Sequence, residues 1–200
     1  GAAQDLSPAD IDPGQIAASS IVYLEGYLWD PANAKEAFLK ASKIAHDNKR
    51  SVALTLSDAF CVGRYRDEFL DLIRSKTVDL VFANEAELTS LYQTEDFDEA
   101  VSRMQADAGL AAITRSEKGS VVIGPDGAVA VPAAPVDKVV DTTGAGDQYA
   151  AGFLFGISRG LPLETCARLG HIAAAEVISH YGPRPETPYA TLARKAGIEI

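Results

Sequence analysis

Several residue types and patterns are scarce in this sequence of 200 residues, and each scarcity excludes a class of protein. Only two cysteines are present, Cys61 and Cys166, without metal-ligand spacing. We therefore expect two buried reduced thiols rather than a disulfide. Lysine and arginine number 18 against 28 acidic residues, for a net charge of −10, which argues against nucleic-acid and anionic membrane partners. No apolar run spans a bilayer and no basic leader opens the chain, which favours a cytoplasmic protein with no membrane partner.

Sequence signatures of three large nucleotide-binding classes are also missing. There is no GxxxxGK[ST] pattern, which excludes a P-loop kinase, and no HRD or DFG set, which excludes a protein kinase. A dinucleotide-binding fingerprint needs a third glycine where this sequence has Tyr149, and it belongs near the first strand rather than late in the chain.

What is present is an alternation of strand-like and helix-like segments, which predicts an α/β fold with a mostly parallel sheet covered by helices on both faces. We expect one domain over residues 1–200. Residues 21–29 are predicted to form a buried strand and its exit, and further strands are predicted over 51–56, 79–83, 110–114 and 138–141, with a β-hairpin over 118–131. Long helices are predicted after residue 144 and over 162–181, the second ending at a glycine cap formed by Gly182. Ligands in such folds gather at the carboxyl ends of the strands.

The most informative stretch is 141–153, DTTGAGDQYAAGF, where the predicted strand meets an apolar helix. Glycines at such a junction let backbone N–H groups point inward. These groups are also the unpaired donors of the first helical turn, where the helix dipole adds partial positive charge. The junction therefore predicts an anion site, most simply for phosphate, with Asp147 one residue inside the turn. For a bare GxGD pattern, an ordinary turn followed by an ordinary acidic residue is the commoner explanation.

The longer pattern DTTGAGD, followed by Ala151 and Gly152, resembles the second signature of the ribokinase-like (pfkB) sugar and nucleoside kinases. The resemblance implies the ribokinase-like three-layer α/β sandwich and covers the C-terminal two-thirds of a family member. We expect the N-terminal acceptor-binding and lid region to be absent. Residues 57–66, SDAFCVGRYR, resemble the adenosine-kinase-like branch.

The resemblance assigns chemical roles to this stretch. It implies that Asp147 takes the proton from the acceptor hydroxyl. It also implies that the N–H groups of Gly144, Ala145 and Gly146 form an anion hole for the transferred phosphoryl group. ATP and Mg²⁺ are the implied cofactors.

Four further residues in the resemblance would serve metal ions. Asn84 and Glu87 match an Asn-x-x-Glu element that orders the water around Mg²⁺, although alone they would be a helix N-cap with an acidic first turn. Asp141 and Thr143, with carbonyls near Gly182 and Pro183, resemble a monovalent-cation site, which makes K⁺ a candidate activator.

Five residues would line the nucleotide by the same resemblance. The family pattern Thr-x-Gly-x-x-Gly corresponds here to Thr114, Ser116 and Gly119, so a serine replaces the first glycine. His171 and the Gly182 turn would lie beside the adenine, although a lone histidine is more often structural.

The resulting hypothesis is an ATP-dependent kinase that phosphorylates a hydroxyl of a small sugar or nucleoside, with an adenosine or ribose-type acceptor favoured. A homodimer of the full-length enzyme is a candidate assembly. The alternative is a non-catalytic nucleotide- or phosphate-binding fragment or module. Intact Asp147 and the pair Asn84 and Glu87 count against that alternative, and the missing acceptor region counts for it.

Overall fold

The computed structural model describes residues 2–199, which form an α/β structure with six strands in a single sheet. The strands are β1 Ile21–Glu25, β2 Ser51–Thr55, β3 Leu80–Asn84, β4 Leu110–Thr114, β5 Ser120–Gly124 and β6 Gly127–Val131. The α-helices are α1 Pro13–Ala18, α2 Ala32–Asp47, α3 Ala59–Arg64, α4 Arg66–Arg74, α5 Glu85–Tyr92, α6 Phe97–Asp107, α7 Ala145–Ser158, α8 Leu163–Val177 and α9 Tyr189–Lys195. Among residues 2–199, no helix combines the length and apolar character that crossing a bilayer requires.

The strands lie in the sheet in chain order, from β1 to β6. β1 pairs with β2 in parallel, with Ile21 opposite Ser51, and β2 pairs with β3 in parallel, with Ala53 opposite Leu80. β5 and β6 are joined by a two-residue turn before Gly127, as the predicted hairpin requires. The α/β class, the parallel strands and the hairpin are therefore confirmed.

Contacts between residues divide the chain into two compact units. The first unit holds the chain up to Ile113 together with Ile123–Ala128, and the second holds Thr114–Val122 and the chain from Val129 onward. In the first unit, apolar side chains of the strands and of α2 to α6 form one buried cluster, with Phe69 and Leu54 fully enclosed. Removing this much apolar surface from water is the main stabilising contribution to such a unit.

The second unit is built on the crossing of α7 and α8. Side chains added at Gly152 or Gly156 would collide with α8, since a Cβ at Gly152 would lie 2.6 Å from the backbone oxygen of Leu169. A Cβ at Gly170 would likewise lie 2.8 Å from the Tyr149 ring. The small residues of the two helices therefore permit a close approach, which fixes the direction in which α7 presents its first turn.

The structure corrects two details of the sequence prediction and confirms a third. Residues 138–141 are not a strand, because the N–H groups of Val140 and Asp141 bind the carbonyl of Ile178 after the end of α8. The predicted glycine cap is wrong, since α8 ends at Val177 and Gly182 lies in the following loop. The cysteines are free and buried, as expected.

Candidate active site

Gly144 is the N-cap residue that precedes helix α7, and it adopts a left-handed backbone conformation with φ of 79°. Residues with a side chain rarely take this conformation. A Cβ at Gly144 would also lie 2.6 Å from Cβ of Pro183. Both the turn and the contact with Pro183 therefore require glycine at this position.

The first turn of α7 presents backbone donors that the protein itself leaves unused. The N–H of Ala145 donates to the carbonyl of Thr142 over 3.2 Å, and the N–H of Gln148 donates to that of Gly144 over 2.9 Å. Within residues 2–199, the N–H groups of Gly146 and Asp147 have no hydrogen-bond partner. A Cβ built on Gly146 would meet no atom within 4 Å. The glycine thus leaves an open approach to two donors at the positive end of a helix dipole, which is a site suited to an anion.

Asp147 occupies the third position of α7 and is exposed. Its carboxylate makes no hydrogen bond or ion pair with any other residue that the structure describes. A carboxylate held on a rigid first turn, next to an anion site and without a partner of its own, is placed to accept a proton from a bound hydroxyl group.

Asp141 joins the loop before α7 to the loop after α8. Its Oδ1 accepts the N–H of Thr143 over 2.9 Å, and its Oδ2 accepts the N–H of Gly182 over 3.1 Å. Hydrogen bonds from the Thr143 side chain and backbone, and then from Gly182, lower the pKa of Asp141. The structure therefore brings together three residues of the predicted cation site, and the role of Asp141 and Thr143 toward K⁺ remains a prediction.

The loop that carries Gly182 is tied to α7 by a second connection. Gln148 donates from Nε2 to the carbonyl of Pro183 over 3.1 Å, and its Oε1 accepts the hydroxyl of Tyr189 over 2.6 Å. Gly182 itself has φ of 87°, and a Cβ there would meet open space. Pro183 therefore contacts α7 on both sides of the Gly146 turn.

The loop between β4 and β5 is a tight turn closed by its own backbone. Arg115 donates its N–H to the carbonyl of Gly119 over 2.7 Å, and Gly119 donates to Ser116 over 3.1 Å. Ser116, the serine at the family's glycine position, has φ of 52°, and Gly119 has φ of 90°. The loop thus keeps a glycine-like backbone despite the serine. The nucleotide-binding roles of Thr114, Ser116 and Gly119 remain predictions.

His171 is buried in a polar network within the second unit. Its Nε2 lies 2.9 Å from Oγ of Ser120, which in turn accepts the hydroxyl of Tyr149 over 2.9 Å. Burial lowers the pKa of His171 to about 4, although a hydrogen bond to the Val131 backbone opposes this shift. The imidazole is therefore neutral at pH 7, and the network connects the hairpin to α7 and α8. The proposed position of His171 beside adenine remains a prediction.

Asn84 and Glu87 form a reciprocal capping box at the start of α5 in the first unit. Oδ1 of Asn84 accepts the Glu87 N–H over 2.8 Å, and the Glu87 carboxylate accepts both the backbone and the side-chain N–H of Asn84, over 3.0 and 2.7 Å. Glu87 is buried, and burial raises its pKa, as does the negative charge of Asp58. The carboxylates of Asp58 and Glu87 therefore lie near the carboxyl ends of the neighbouring strands β2 and β3.

Two residues to which the sequence assigned no role, Asp58 and Glu176, make prominent contacts in the structure. Asp58 caps α3 by accepting the N–H groups of Phe60 and Cys61. Its place two residues after the predicted strand 51–56 is a signal that could have pointed to it, as the end of strand 79–83 pointed to Asn84 and Glu87. Glu176 is buried in the last turn of α8 and binds the loop that carries Gly182 and Pro183. No local pattern distinguishes it from an exposed helical glutamate.

Comparison with known proteins identifies the family to which this site belongs. Residues 1–189 match the pfkB family of carbohydrate kinases, so the chain belongs to that family. The matched structures confirm the ribokinase-like α/β fold.

Three relatives show how far the likeness extends. Adenosine kinase from Sinorhizobium meliloti is 54% identical, with a TM-score of 0.93 over 96% of this chain and 59% of that chain. A probable sugar kinase protein from Rhizobium etli CFN 42 is 50% identical, with a TM-score of 0.94 over 97% of this chain and 59% of that one. Cytidine kinase from Thermococcus kodakarensis is 42% identical over 127 residues, which are 59% of this chain and 45% of that protein. The chain thus spans about half to three-fifths of the length of these relatives.

Proposed function

We propose that this chain is the nucleotide-binding and catalytic part of an ATP-dependent kinase that phosphorylates a hydroxyl group of a sugar or nucleoside. Membership of a carbohydrate kinase family supports phosphoryl transfer from ATP. The observation that carries the proposal is the first turn of α7, where the unpaired N–H groups of Gly146 and Asp147 lie beside an unpaired carboxylate.

Phosphoryl transfer has a loose transition state, so catalysis depends on positioning and on stabilising the charge of the transferred group. The backbone donors of the Gly144–Asp147 turn serve that purpose without reorganising, because α7 and the Pro183 contact hold them in place. Asp147 accepts the proton of the attacking hydroxyl. Because the transition state is loose, this proton can leave late in the reaction.

Mg²⁺, when bound with ATP, neutralises phosphate charge during transfer. Asn84 and Glu87 fit an outer-shell role because their polar atoms already bind one another, while each Glu87 oxygen retains lone pairs that can accept from metal-bound water. Within residues 2–199, no group of three or more His, Cys, Asp or Glu side chains is arranged to hold a metal.

Nucleosides are the acceptor class that we favour. The adenosine kinase from S. meliloti and the cytidine kinase from T. kodakarensis are both named for nucleoside acceptors. The probable sugar kinase from R. etli is almost equally similar, so a ribose-containing acceptor is the common element that we propose.

The experiment that tests this function uses the full-length gene product with a panel of nucleosides and sugars. Wild-type protein is expected to consume ATP with at least one ribose-type acceptor. Asp147→Asn should then lose about 10²–10⁴-fold in kcat, the usual contribution of a general base, with ATP affinity nearly unchanged. Asp137→Asn, a change at another exposed aspartate of the second unit, serves as the control and should retain activity.

Two outcomes would contradict the proposal. Near-normal turnover by Asp147→Asn would remove Asp147 from proton transfer. Tight ATP binding by the wild-type protein without transfer to any acceptor in the panel would favour the alternative, a nucleotide-binding module.

A further inference from the structure

The loop over residues 178–188, between α8 and α9, has no regular secondary structure, yet it contacts the first turn of α7. Pro183 touches Gly144 and accepts a hydrogen bond from Gln148, and the N–H of Gly182 binds Asp141. The position of this loop therefore determines the position of the turn that presents the anion donors.

One buried carboxylate holds the far end of this loop. Glu176, in the last turn of α8, is only 8% exposed. Its Oε1 accepts both the N–H of Glu186, over 2.8 Å, and the N–H of Thr187, over 2.7 Å. Its Oε2 lies 3.3 Å from Nε2 of His180, in the same loop. A buried carboxylate is costly unless it is fully hydrogen-bonded, and here every partner comes from the 178–188 loop.

These contacts form a continuous path within the second unit. Glu176 anchors the end of the loop at residues 186 and 187, and Asp141 and Gln148 bind its middle at residues 182 and 183. If the far end were released, the middle would rely on two half-exposed contacts. Pro183 would then no longer be held against Gly144, and the first turn of α7 would lose the packing contact that fixes its position.

We propose that Glu176 is a positioning residue for phosphoryl transfer: by accepting two backbone N–H groups through one buried oxygen, it fixes the 178–188 loop and thereby orients the first turn of α7. This role rests on the proposed kinase function. Glu176 acts only through its hydrogen bonds to the loop and does not itself contact nucleotide or acceptor.

A pair of near-isosteric variants separates hydrogen bonding from charge and volume. Glu176→Gln keeps a carbonyl oxygen that can accept both N–H groups, and it keeps the length and volume of the glutamate side chain. Glu176→Met fills a similar volume and accepts neither N–H strongly. Glu164→Gln, at an exposed position in the first turn of the same helix, is the matched control.

In the full-length protein, at a temperature where every variant is folded by circular dichroism, Glu176→Met is expected to lower kcat by about 10- to 100-fold, as small misplacements in a catalytic site do. Backbone amides of residues 178–188 and 142–148 should exchange with solvent at least about ten-fold faster. Glu176→Gln should remain close to wild type in both measurements, as should Glu164→Gln.

Three results would overturn the proposal. The first is unchanged kcat and amide exchange in Glu176→Met, and the second is equal loss in Glu176→Gln and Glu176→Met. The third result concerns the wild-type protein: exchange of the Glu186 and Thr187 amides as fast as that of unprotected loop amides would show that Glu176 does not hold them. Because exchange is measured without turnover, a wild-type protein that transfers no phosphoryl group would refute the kinase function while leaving the loop anchor testable.

Discussion

Gly146→Ala is expected to stabilise the protein and, at the same time, to weaken phosphoryl transfer. The two effects have opposite signs because the position is helical and open. Gly146 lies within α7, and a Cβ placed there would meet no protein atom within 4 Å. The new methyl group costs the folded protein nothing by collision, but it occupies the space through which an anion reaches the N–H groups of Gly146 and Asp147.

The size of each effect follows from this geometry. Alanine in place of glycine within a helix stabilises by about 0.5–1 kcal/mol, because the unfolded chain loses conformational freedom. For a protein of this size, that raises Tm by about 1–4 °C. A donor that can no longer reach the transition state typically costs about 10²–10³-fold in kcat. We therefore expect a more stable protein with about one-hundredth of the activity.

The assay combines denaturant unfolding with steady-state kinetics on the full-length protein. Gly144→Ala is the matched comparison, because its Cβ would lie 2.6 Å from Pro183 Cβ and its φ is 79°, so it should lose both stability and activity. Wild-type kcat in Gly146→Ala would refute the assignment of the anion to this turn. A loss of stability in Gly146→Ala would show that the position is not open as described.

Three further predictions concern Ser116, Glu87 and His171. Ser116→Gly should stabilise the protein by about 0.5–1 kcal/mol in denaturant unfolding, because glycine relieves the strain of a φ of 52°. Glu87→Gln should raise the Mg²⁺ concentration needed for half-maximal rate more than it raises the acceptor KM, and a magnesium titration like that of wild type would contradict the assignment. His171 has its pKa lowered from 6.5 to about 4 by burial, so its contribution to stability should fall as the pH drops from about 6.5 to 4. The gap corresponds to about 3 kcal/mol, and His171→Asn should flatten that part of the unfolding free energy against pH.

The site around α7 could be predicted from sequence because its requirements are local. A left-handed turn without side chains needs glycine, and a helix start beside it supplies unpaired donors, so a run of seven residues specifies most of the geometry. The strands and the hairpin were likewise visible as short apolar runs and a Pro125–Gly127 turn. The two glycines are needed for different reasons. Gly144 has a left-handed φ and leaves no room for a Cβ beside Pro183, whereas the missing side chain of Gly146 keeps the space beside the N–H groups open.

The segment 138–141 shows where local reasoning fails. Its two adjacent valines suit a strand. However, the N–H groups of Val140 and Asp141 bind the carbonyl of Ile178, far away in the chain. The same carbonyl lies just beyond α8, which ends earlier than predicted. Both errors have one cause, since a partner that arrives from a distant loop can satisfy backbone groups that would otherwise extend a strand or a helix.

The burial and contacts of Glu176 could not be predicted from the sequence, for a related reason. In the run Ala-Ala-Ala-Glu-Val, a glutamate near a helix end is ordinarily exposed and of little consequence. It becomes buried only because the chain turns back ten residues later and presents two N–H groups to one of its oxygens. The proposed catalytic turn can therefore be found in a short motif, but the loop anchor that we propose for it carries no motif. For this protein, changes to the 178–188 loop should alter catalysis even where every residue of the signature is intact.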